Sequence, residues 1–235
     1  MNGFRRRSRR LRKNPVLAFL VDFVAIVGVA LLLSVLIKAF LIRSFFIPSG
    51  SMMDTLQIND RIIVNVLVPE VLPVQRGDVV VFQDPGGWLG VANSIEKPAI
   101  EELGDFVLGT FGVTAPDSAE HLVKRVIGVG GDVISCCDAD GRLLLNGVAI
   151  DESYIRDGAN PSDIEFSITV PEGYLWVMGD NRGNSTDSRF HQDLPSKGFV
   201  SLDVVVGRAM LVSWPVANWS YLDNYSSTFD VLPKP

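Results

Sequence analysis

The 235-residue chain has the composition of a folded protein, with 47% hydrophobic and 20% charged residues, which excludes an intrinsically disordered class. Its length accommodates one sizeable domain with a small satellite. Seven of the 21 Lys and Arg side chains lie in the first 13 residues, leaving 14 to face all 27 acidic residues. This basic tract lacks interleaved aromatic residues and leads into an apolar segment, which favours a membrane anchor and argues against nucleic-acid binding.

The apolar segment covers residues 16–37 and contains a single charge, Asp22. A helix of that length rises about 33 Å, enough to cross the hydrocarbon core of a membrane. We therefore predict a transmembrane helix over 16–40, retained as a signal anchor because no small-residue cleavage pattern follows it. The basic residues 1–15 are expected in the cytoplasm, which places the rest of the chain outside it. Asp22 is expected near the headgroups or protonated.

Short β-rich runs separated by turns predict a mainly β, antiparallel domain over 41–215, with Greek-key or barrel character and a tail over 216–235. Residues 133–173 are expected to form a smaller β subdomain, and 83–121 an inserted excursion. That excursion starts with a turn at Asp84–Gly87 and contains a short helix near 99–108. Strands are predicted at 60–66, 79–82, 122–127, 133–135 (continuing the previous strand after a turn at 128–132), 143–150 (a hairpin with an Asn-Gly turn), 164–170, 174–178 and 204–214.

Three other patterns lack the spacing that their usual chemistry needs. Cys136 and Cys137 are adjacent and cannot form a long-range staple with each other, so we expect the domain to fold without a disulfide framework. The Gly128–Gly131 run is not followed by a helix pattern, which excludes the dinucleotide-binding fingerprint. The polar loop Gly179–Arg189 lacks the glycine and terminal glutamate of a calcium-binding EF-hand, so no metal or other cofactor is expected.

The segment Ser49-Gly50-Ser51-Met52 is a candidate for nucleophilic chemistry. Two hydroxyl groups flank a glycine, whose backbone freedom allows another chain to approach closely. A serine nucleophile needs an exposed hydroxyl group and nearby N–H or O–H donors that hold the developing oxyanion. The alternative is an ordinary polar turn, because Pro-Ser-Gly-Ser is also common turn chemistry.

A serine nucleophile also needs a proton acceptor. His191 and His121 are candidates without a supporting motif, and we expect both to be solvated polar residues. Lys124 lies in a predicted strand, on one face with Leu122 and Val126. Burial between apolar neighbours would lower its pKa and make it a base near neutral pH. The alternative is an edge-strand lysine that deters aggregation.

The loop Gly179–Arg189 is unusually dense in side chains that form hydrogen bonds. With the EF-hand pattern excluded, it is interpreted as a scaffold that fixes catalytic groups, including an Asp–Arg pair.

Taken together, these segments resemble the type I signal peptidases of bacteria, which are membrane-anchored serine proteases with a Ser-Lys dyad. The resemblance covers about half of the chain, in the order expected after an anchor. The long excursion resembles insertions in some members, particularly from high-GC Gram-positive bacteria. The matching motifs are Pro48-Ser49-Gly50-Ser51-Met52, Gly77-Asp78-Val79-Val80-Val81-Phe82, Lys124-Arg125-Val126-Ile127-Gly128 with Asp132, and the loop Gly179–Arg189.

The resemblance implies a role for each matching polar residue. Ser51 would be the nucleophile and Lys124 the general base. The Ser51 N–H and the Ser49 hydroxyl group would form the oxyanion hole, and Ser185 would donate or accept a hydrogen bond that orients the lysine. The expected supporting residues, which include the pair of Asp187 with Arg189, are Arg125, Asp180, Ser185, Asp187 and Arg189.

Two positions depart from the family pattern. Asp54 stands where many members have proline, and a carboxylate there is expected to raise the pKa of Lys124 and so oppose its role as a base. Gly130-Gly131 replaces the usual Pro-Gly before Asp132. Neither departure removes a catalytic group.

The function implied is a monomeric endopeptidase at the outer face of the bacterial cytoplasmic membrane, in contact with lipid. It would remove Ala-x-Ala signal peptides from secretory preproteins, which would bind as an added strand along an exposed edge. Phe45 and Phe46 would help to hold the catalytic face against the bilayer. The competing hypotheses are a Ser-Lys autoprotease of the repressor-cleaving type and a non-enzymatic, membrane-tethered β-domain.

Overall fold

The structure is a computed structural model that describes residues 15–89 and 121–229, and the chain divides into two compact units after Leu41. The first unit contains helix α1, Pro15–Phe40, whose Leu and Ala content suits a helix. In the described segments, no helix qualifies as long and apolar enough to cross a membrane. The predicted excursion helix at 99–108 lies outside the described residues.

The second unit is built from short antiparallel strands. Their bounds are β1 Ile42–Phe46, β2 Arg61–Asn65, β3 Val79–Gln83, β4 His121–Val129, β5 Val133–Cys136, β6 Leu143–Leu145, β7 Val148–Ala149, β8 Phe166–Thr169, β9 Tyr174–Met178, β10 Val200–Ser201, β11 Val205–Trp214 and β12 Ser220–Tyr221. A short helix, α2, covers Ser226–Phe229. The described strands pair antiparallel throughout, so the mainly β, antiparallel prediction is confirmed.

The strands form two sheets. The larger sheet has the order β1-β2-β11-β3-β4-β9-β10, with β12 paired to β11, and the smaller has the order β7-β6-β5-β8. Strand β3 pairs with β4 so that Val80 lies opposite Lys124. This central position fixes Lys124 within the larger sheet.

The small sheet confirms a turn prediction and contradicts a strand prediction. Asn146 and Gly147 both have positive φ angles, 53° and 81°, as a two-residue type I′ hairpin turn requires. The expectation that residues 133–135 continue the third strand is wrong, because β5 pairs with β6 and β8 in the second sheet. The chain changes sheet at the turn before Val133, where the Asp132 carboxylate accepts hydrogen bonds from Arg76 and Asn146.

The core is divided among three clusters of buried apolar side chains. One contains residues of both sheets, with Trp176 from the larger sheet and Ile134 and Leu145 from the small sheet. Another contains Phe45, Met52 and other apolar residues around the larger sheet. Phe45 is therefore a core residue, and the expectation that it contacts the bilayer is wrong.

The two cysteines, Cys136 and Cys137, form a disulfide with each other, which links adjacent residues and spans no loop.

Candidate active site

The segment after β1 carries Ser51 in a tight turn. The Leu56 N–H donates to the Met52 carbonyl (2.8 Å), and both apolar side chains are buried in the core. Burial of Met52 and Leu56 fixes both ends of the turn that contains Asp54 and Thr55. Ser51 is consequently held by the sheet's core although it lies in a loop.

Asn181 attaches this turn to the polar loop after β9. Its backbone N–H donates to the Ser51 carbonyl (3.1 Å), and its side-chain Nδ2 donates to the Gly50 carbonyl (2.9 Å). A Cβ atom at Gly179 would overlap the Ser51 carbonyl oxygen and the Ser185 hydroxyl group. A glycine is therefore required for the two loops to approach this closely.

Lys124 contacts Ser51 directly. Its Nζ donates hydrogen bonds to Ser51 Oγ (2.8 Å) and to the Val123 carbonyl (3.0 Å), and the residue is only 3% exposed. The sequence prediction that this lysine is buried is confirmed. A lysine 2.8 Å from a serine hydroxyl group can accept its proton when the amine is neutral.

The surroundings of Lys124 favour the neutral amine. Burial lowers its pKa from the ordinary value of 10.5 to about 8, while the carboxylates of Asp187 and Asp180 act in the opposite direction. The Asp54 side chain is exposed. The carboxylates that raise the pKa of Lys124 are thus Asp187 and Asp180 of the polar loop. Asp54, contrary to expectation, is not one of them.

The two donors predicted for an oxyanion are the Ser49 hydroxyl group and the Ser51 N–H. Ser49 is exposed, and its Oγ lies 3.4 Å from Ser51 Oγ. Across residues 15–89 and 121–229, no acceptor is found for the Ser51 N–H. An N–H and a hydroxyl group next to the nucleophile are the donors that an oxyanion hole requires.

The polar loop is fixed by ion pairs with very little solvent contact. Asp187 binds Arg189 (2.8 Å) and accepts from the Gly179 N–H (2.9 Å), so the predicted Asp–Arg pair is confirmed. Asp180 binds Arg125 through two hydrogen bonds of 2.8 and 2.7 Å. Two-point contacts of this kind fix orientation as well as position.

Ser185 differs from its predicted role. Its hydroxyl group is buried but has no hydrogen-bond partner in the described part of the chain, and Lys124 Nζ donates instead to Ser51 and Val123. The predicted hydrogen bond between Ser185 and Lys124 is therefore not present. The hydroxyl group lies against Gly179, one residue before Asp180 in the loop that faces the lysine.

The histidines also differ from expectation. His191 is 7% exposed, and its Nδ1 lies 2.8 Å from the Asp187 carbonyl, so the prediction of a solvated residue is wrong. His121 is half-buried, and its ring lies 5.2 Å from that of Phe45. The side chain hydrogen-bonded to Ser51 Oγ is that of Lys124, so a Ser-His-Asp arrangement is not formed in the described residues.

The nucleophile candidate opens into a cleft of about 150 Å³. Most of its lining is apolar, which suits small apolar side chains next to a scissile bond. The lining residues are Phe45, Phe46, Ile47, Pro48, Ser49, Ser51, Met52, Leu89, His121, Leu122, Val123 and Lys124.

Several supporting residues give no sequence signal outside the resemblance. Thr55 Oγ1 donates to Asp180 Oδ2 (2.5 Å), which connects the turn that carries Ser51 to the Arg125–Asp180 pair. Glu152, from the small-sheet segment, binds Arg182 of the polar loop. Asn181 belongs to the loop singled out for its hydrogen-bonding side chains, but its partners in the Ser51 turn could not be identified from spacing.

Comparisons with known proteins agree with this geometry. A sequence profile of the family described as signal peptidase, peptidase S26, matches residues 20–214. A probable signal peptidase I of Mycobacterium leprae is 34% identical over 237 residues, which cover 88% of this chain and 80% of the relative. Signal peptidase I of Mycobacterium tuberculosis is 36% identical over 218 residues, which cover 84% of this chain and 74% of the relative.

A crystal structure of signal peptidase I from Enterococcus faecalis is also similar, with 25% identity and a TM-score of 0.35 over 57% of this chain and 95% of the other. The profile match and the two relatives are sufficient to define the class of protein. The chain belongs to the signal peptidase family, peptidase S26, and is a serine peptidase. This membership removes the non-enzymatic tethered domain from the competing hypotheses.

Proposed function

We propose that this peptidase removes signal peptides from exported preproteins with Ser51 as nucleophile and Lys124 as general base. The observation that carries the proposal is the 2.8 Å hydrogen bond between Lys124 Nζ and Ser51 Oγ in a site with almost no exposure of the lysine. No other described lysine or histidine is hydrogen-bonded to Ser51 Oγ. The pKa of about 8 leaves a useful fraction of neutral amine near physiological pH.

In the first step, neutral Lys124 takes the proton of Ser51 as Oγ attacks the carbonyl carbon before the cut. The negative charge that develops on the carbonyl oxygen is stabilised by the Ser51 N–H and the Ser49 hydroxyl group. The lysine, now an ammonium group, gives its proton to the leaving amine as the peptide bond breaks. The product is an acyl-enzyme on Ser51 and a free mature N-terminus.

In the second step, water attacks the acyl-enzyme, with Lys124 again accepting a proton. The ester bond to Ser51 breaks, and the serine oxygen recovers its proton from the lysine. Asp187 and Asp180 limit how far burial lowers the pKa of Lys124, so the amine can hold a proton between the two transfers. The ion pairs of both aspartates with arginines keep them fixed during this cycle.

The preprotein is proposed to bind as an extended strand in the cleft. Strand β1 pairs with β2 on one side, and the first half of β4 pairs with β3, while β9 pairs with β4 only from Arg125 onward. In the described part of the chain, β1 and residues 122–123 therefore present strand edges to the cleft. Strand addition supplies backbone hydrogen bonds, and the apolar lining would select Ala-x-Ala side chains.

Cleavage of a defined precursor tests the proposal. A purified Ala-x-Ala precursor is incubated in detergent with the wild type or with Ser51→Ala, and the products are identified by mass spectrometry. We expect one cut after the second alanine with the wild type and a loss of at least about a thousandfold in the variant. Ser201→Ala, in β10 and outside the cleft lining, is the matched control. A variant that still cuts would refute Ser51 as the nucleophile.

The membrane location is also a proposal, supported by the sequence of residues 16–37 with its single charge, Asp22. The described apolar side chains of α1, including Phe19 and Phe23, are largely exposed. We propose an anchor that leaves residues 1–15 in the cytoplasm and the peptidase outside, in contact with lipid. One chain supplies both dyad residues, so a monomer is sufficient.

Alkaline extraction and protease protection test this location. The full chain should stay with membranes after an alkaline wash, and added protease should reach the β-domain in spheroplasts but not in inside-out vesicles. Release by the wash would refute the anchor, and the reverse pattern of protection would refute the orientation.

A further inference from the structure

We propose that Leu89 determines which side chain is accepted at the third residue before the cut, and that stacking of Trp88 on His191 holds Leu89 in place. The inference rests on the proposed function, because it concerns the substrate cleft next to Ser51. It assigns a role to the first described part of the excursion, residues 84–89, and to a histidine that the dyad mechanism does not use.

The turn that presents Leu89 is organised by one carboxylate. Asp84 accepts hydrogen bonds from the backbone N–H groups of Gly86 (2.9 Å), Trp88 (2.9 Å) and Leu89 (3.1 Å). Side-chain acceptors of this kind replace the backbone hydrogen bonds that a turn leaves unmade. The chain therefore folds back beside the end of β3 before it leaves the described region.

Trp88 attaches this turn to the polar loop. Its ring packs edge-on against Phe82 (5.8 Å) and stacks on His191, with centroids 4.3 Å apart and an angle of 5° between the planes. His191 Nδ1 lies 2.8 Å from the Asp187 carbonyl. Aromatic contacts of this geometry stabilise beyond the area that they bury. The turn is thus packed against the loop that contains Asp187.

Leu89 itself is the residue of this turn that lines the cleft. It is 39% exposed and shares the lining with Phe45, His121 and Lys124, whereas the neighbouring Trp88 is buried. A partly exposed leucine gains contact when an apolar substrate side chain covers it. Its size also limits how large that side chain can be.

The register of the sheet places this contact along the substrate. Gln83 of β3 pairs with His121, and His121 precedes Val123, which lies beside Lys124 in the cleft lining, by two residues of the same strand, about 7 Å. The Leu89 N–H bonds to Asp84, directly after Gln83, so Leu89 lies at the His121 end of the cleft. A substrate strand with the same rise, whose first residue before the cut lies beside Val123, reaches that end at the third residue before the cut. The recognised side chains of a signal peptide precede the cut, which selects the third residue before it.

The test compares precursors that differ only at that third residue, with Ala, Val or Leu. For the wild type and Leu89→Ala, kcat/KM is measured for each precursor, and the ratio to the Ala precursor is the readout. We expect Leu89→Ala to raise the relative rate for Val and Leu roughly three- to tenfold, and Leu89→Trp to lower it. Leu72→Ala, at a leucine that is 45% exposed elsewhere in the domain, is the matched control and should leave the ratios unchanged.

Two results would overturn the assignment. One is an unchanged ratio in Leu89→Ala while the wild type cuts normally. The other is an effect confined to a different substrate position in a scan from the fourth residue before the cut to the third after it. Failure of the proposed function is distinguishable, because the wild type would then cut none of the precursors.

The role of the stack is tested separately on the same ratios. His191→Phe keeps an aromatic partner for Trp88 and should keep wild-type discrimination, whereas His191→Ala should relax it as Leu89→Ala does. Thermal unfolding of each variant checks that the domain is folded. Equal discrimination in His191→Ala and the wild type would show that the stack does not position Leu89.

Discussion

Strand β4 carries two neighbouring buried cations whose surroundings differ sharply. Arg125 faces Asp180 through two hydrogen bonds, donates to the carbonyl of Gly77 (2.6 Å) and lies 4.4 Å above the ring of Tyr154. Lys124 donates to a serine hydroxyl group and a backbone carbonyl, and no carboxylate in the described segments forms an ion pair with it.

This difference has opposite effects on the two side chains. Burial alone would lower the pKa of Arg125, but the Asp180 carboxylate, together with Tyr154 and Tyr225, acts in the opposite direction and the net direction is upward. Burial dominates at Lys124, and its pKa falls to about 8. A paired cation keeps its charge and serves as scaffold, whereas a cation without a carboxylate contact can lose its proton and act as a base.

The largest effect is expected for Lys124→Met, which removes the proposed base while keeping a side chain of similar length. We expect kcat/KM to fall at least about a thousandfold, because Ser51 loses its proton acceptor. The variant should nevertheless be more stable at pH 7, by up to about 3 kcal/mol. At that pH the unfolded chain holds the lysine proton more tightly than the folded protein does, which lowers the free energy of unfolding of the wild type.

The sign of the stability effect gives a second check. The destabilisation by Lys124 is fully present below pH 8 and disappears as the pH rises from about 8 to 10.5, because the unfolded lysine then also loses its proton. The gain from Lys124→Met, measured by urea unfolding, should therefore shrink over this range. Lys197→Met, at an exposed lysine, should change neither activity nor stability appreciably. A less stable Lys124→Met at neutral pH would contradict the comparison.

The next largest effect is expected for Arg125→Met, which breaks a buried pair. Loss of one partner leaves Asp180 without its opposing charge, and such changes cost about 3 to 5 kcal/mol. Urea unfolding measures the loss. Arg142→Met is the control, because Arg142 pairs with Asp138 at a side-chain exposure of 47% and should contribute less than about 1 kcal/mol. Equal losses in the two variants would show that Arg125 has no special structural role.

The dependence of cleavage on pH is expected to be smaller but more direct. The base must be neutral, so kcat/KM should rise about tenfold per pH unit below pH 8 and level off above it. At pH 7 the rate would be about a tenth of the plateau. The measurement is a pH profile with one Ala-x-Ala precursor, with circular dichroism at each pH as the control for folding. A profile that rises only near pH 10.5 would show that burial does not lower the pKa of this lysine in solution.

Local patterns in the sequence were sufficient for much of the sheet. Predicted strands correspond to β2 to β9 and to β11, since each is a short β-rich run bounded by turn residues. Strand β1 was missed because it follows the long apolar segment directly and includes Arg43 and Ser44. The sheet change at Val133 was missed because pairing partners far along the chain leave no local signal.

The site divides in the same way. Burial of Lys124 follows from strand alternation, and its contact with Ser51 follows from the resemblance alone. Thr55 binding to Asp180 and Trp88 stacking on His191 join segments more than 100 residues apart, and no spacing predicts them. His191 was expected to be solvated because its own neighbours are polar, but a residue from the excursion covers it.

The smallest effect is expected for Asp54→Asn, at the position that departs from the family pattern. The Asp54 side chain is exposed, and the carboxylates that raise the pKa of Lys124 are those of Asp187 and Asp180. Exposed charges are screened by water and salt, so the midpoint of the pH profile should move by less than about 0.2 units. Asp187→Asn is the contrasting variant, because it removes a carboxylate that raises this pKa and should shift the midpoint downward. A larger shift in Asp54→Asn than in Asp187→Asn would mean that the exposed turn, and not the buried loop, sets the charge of the base.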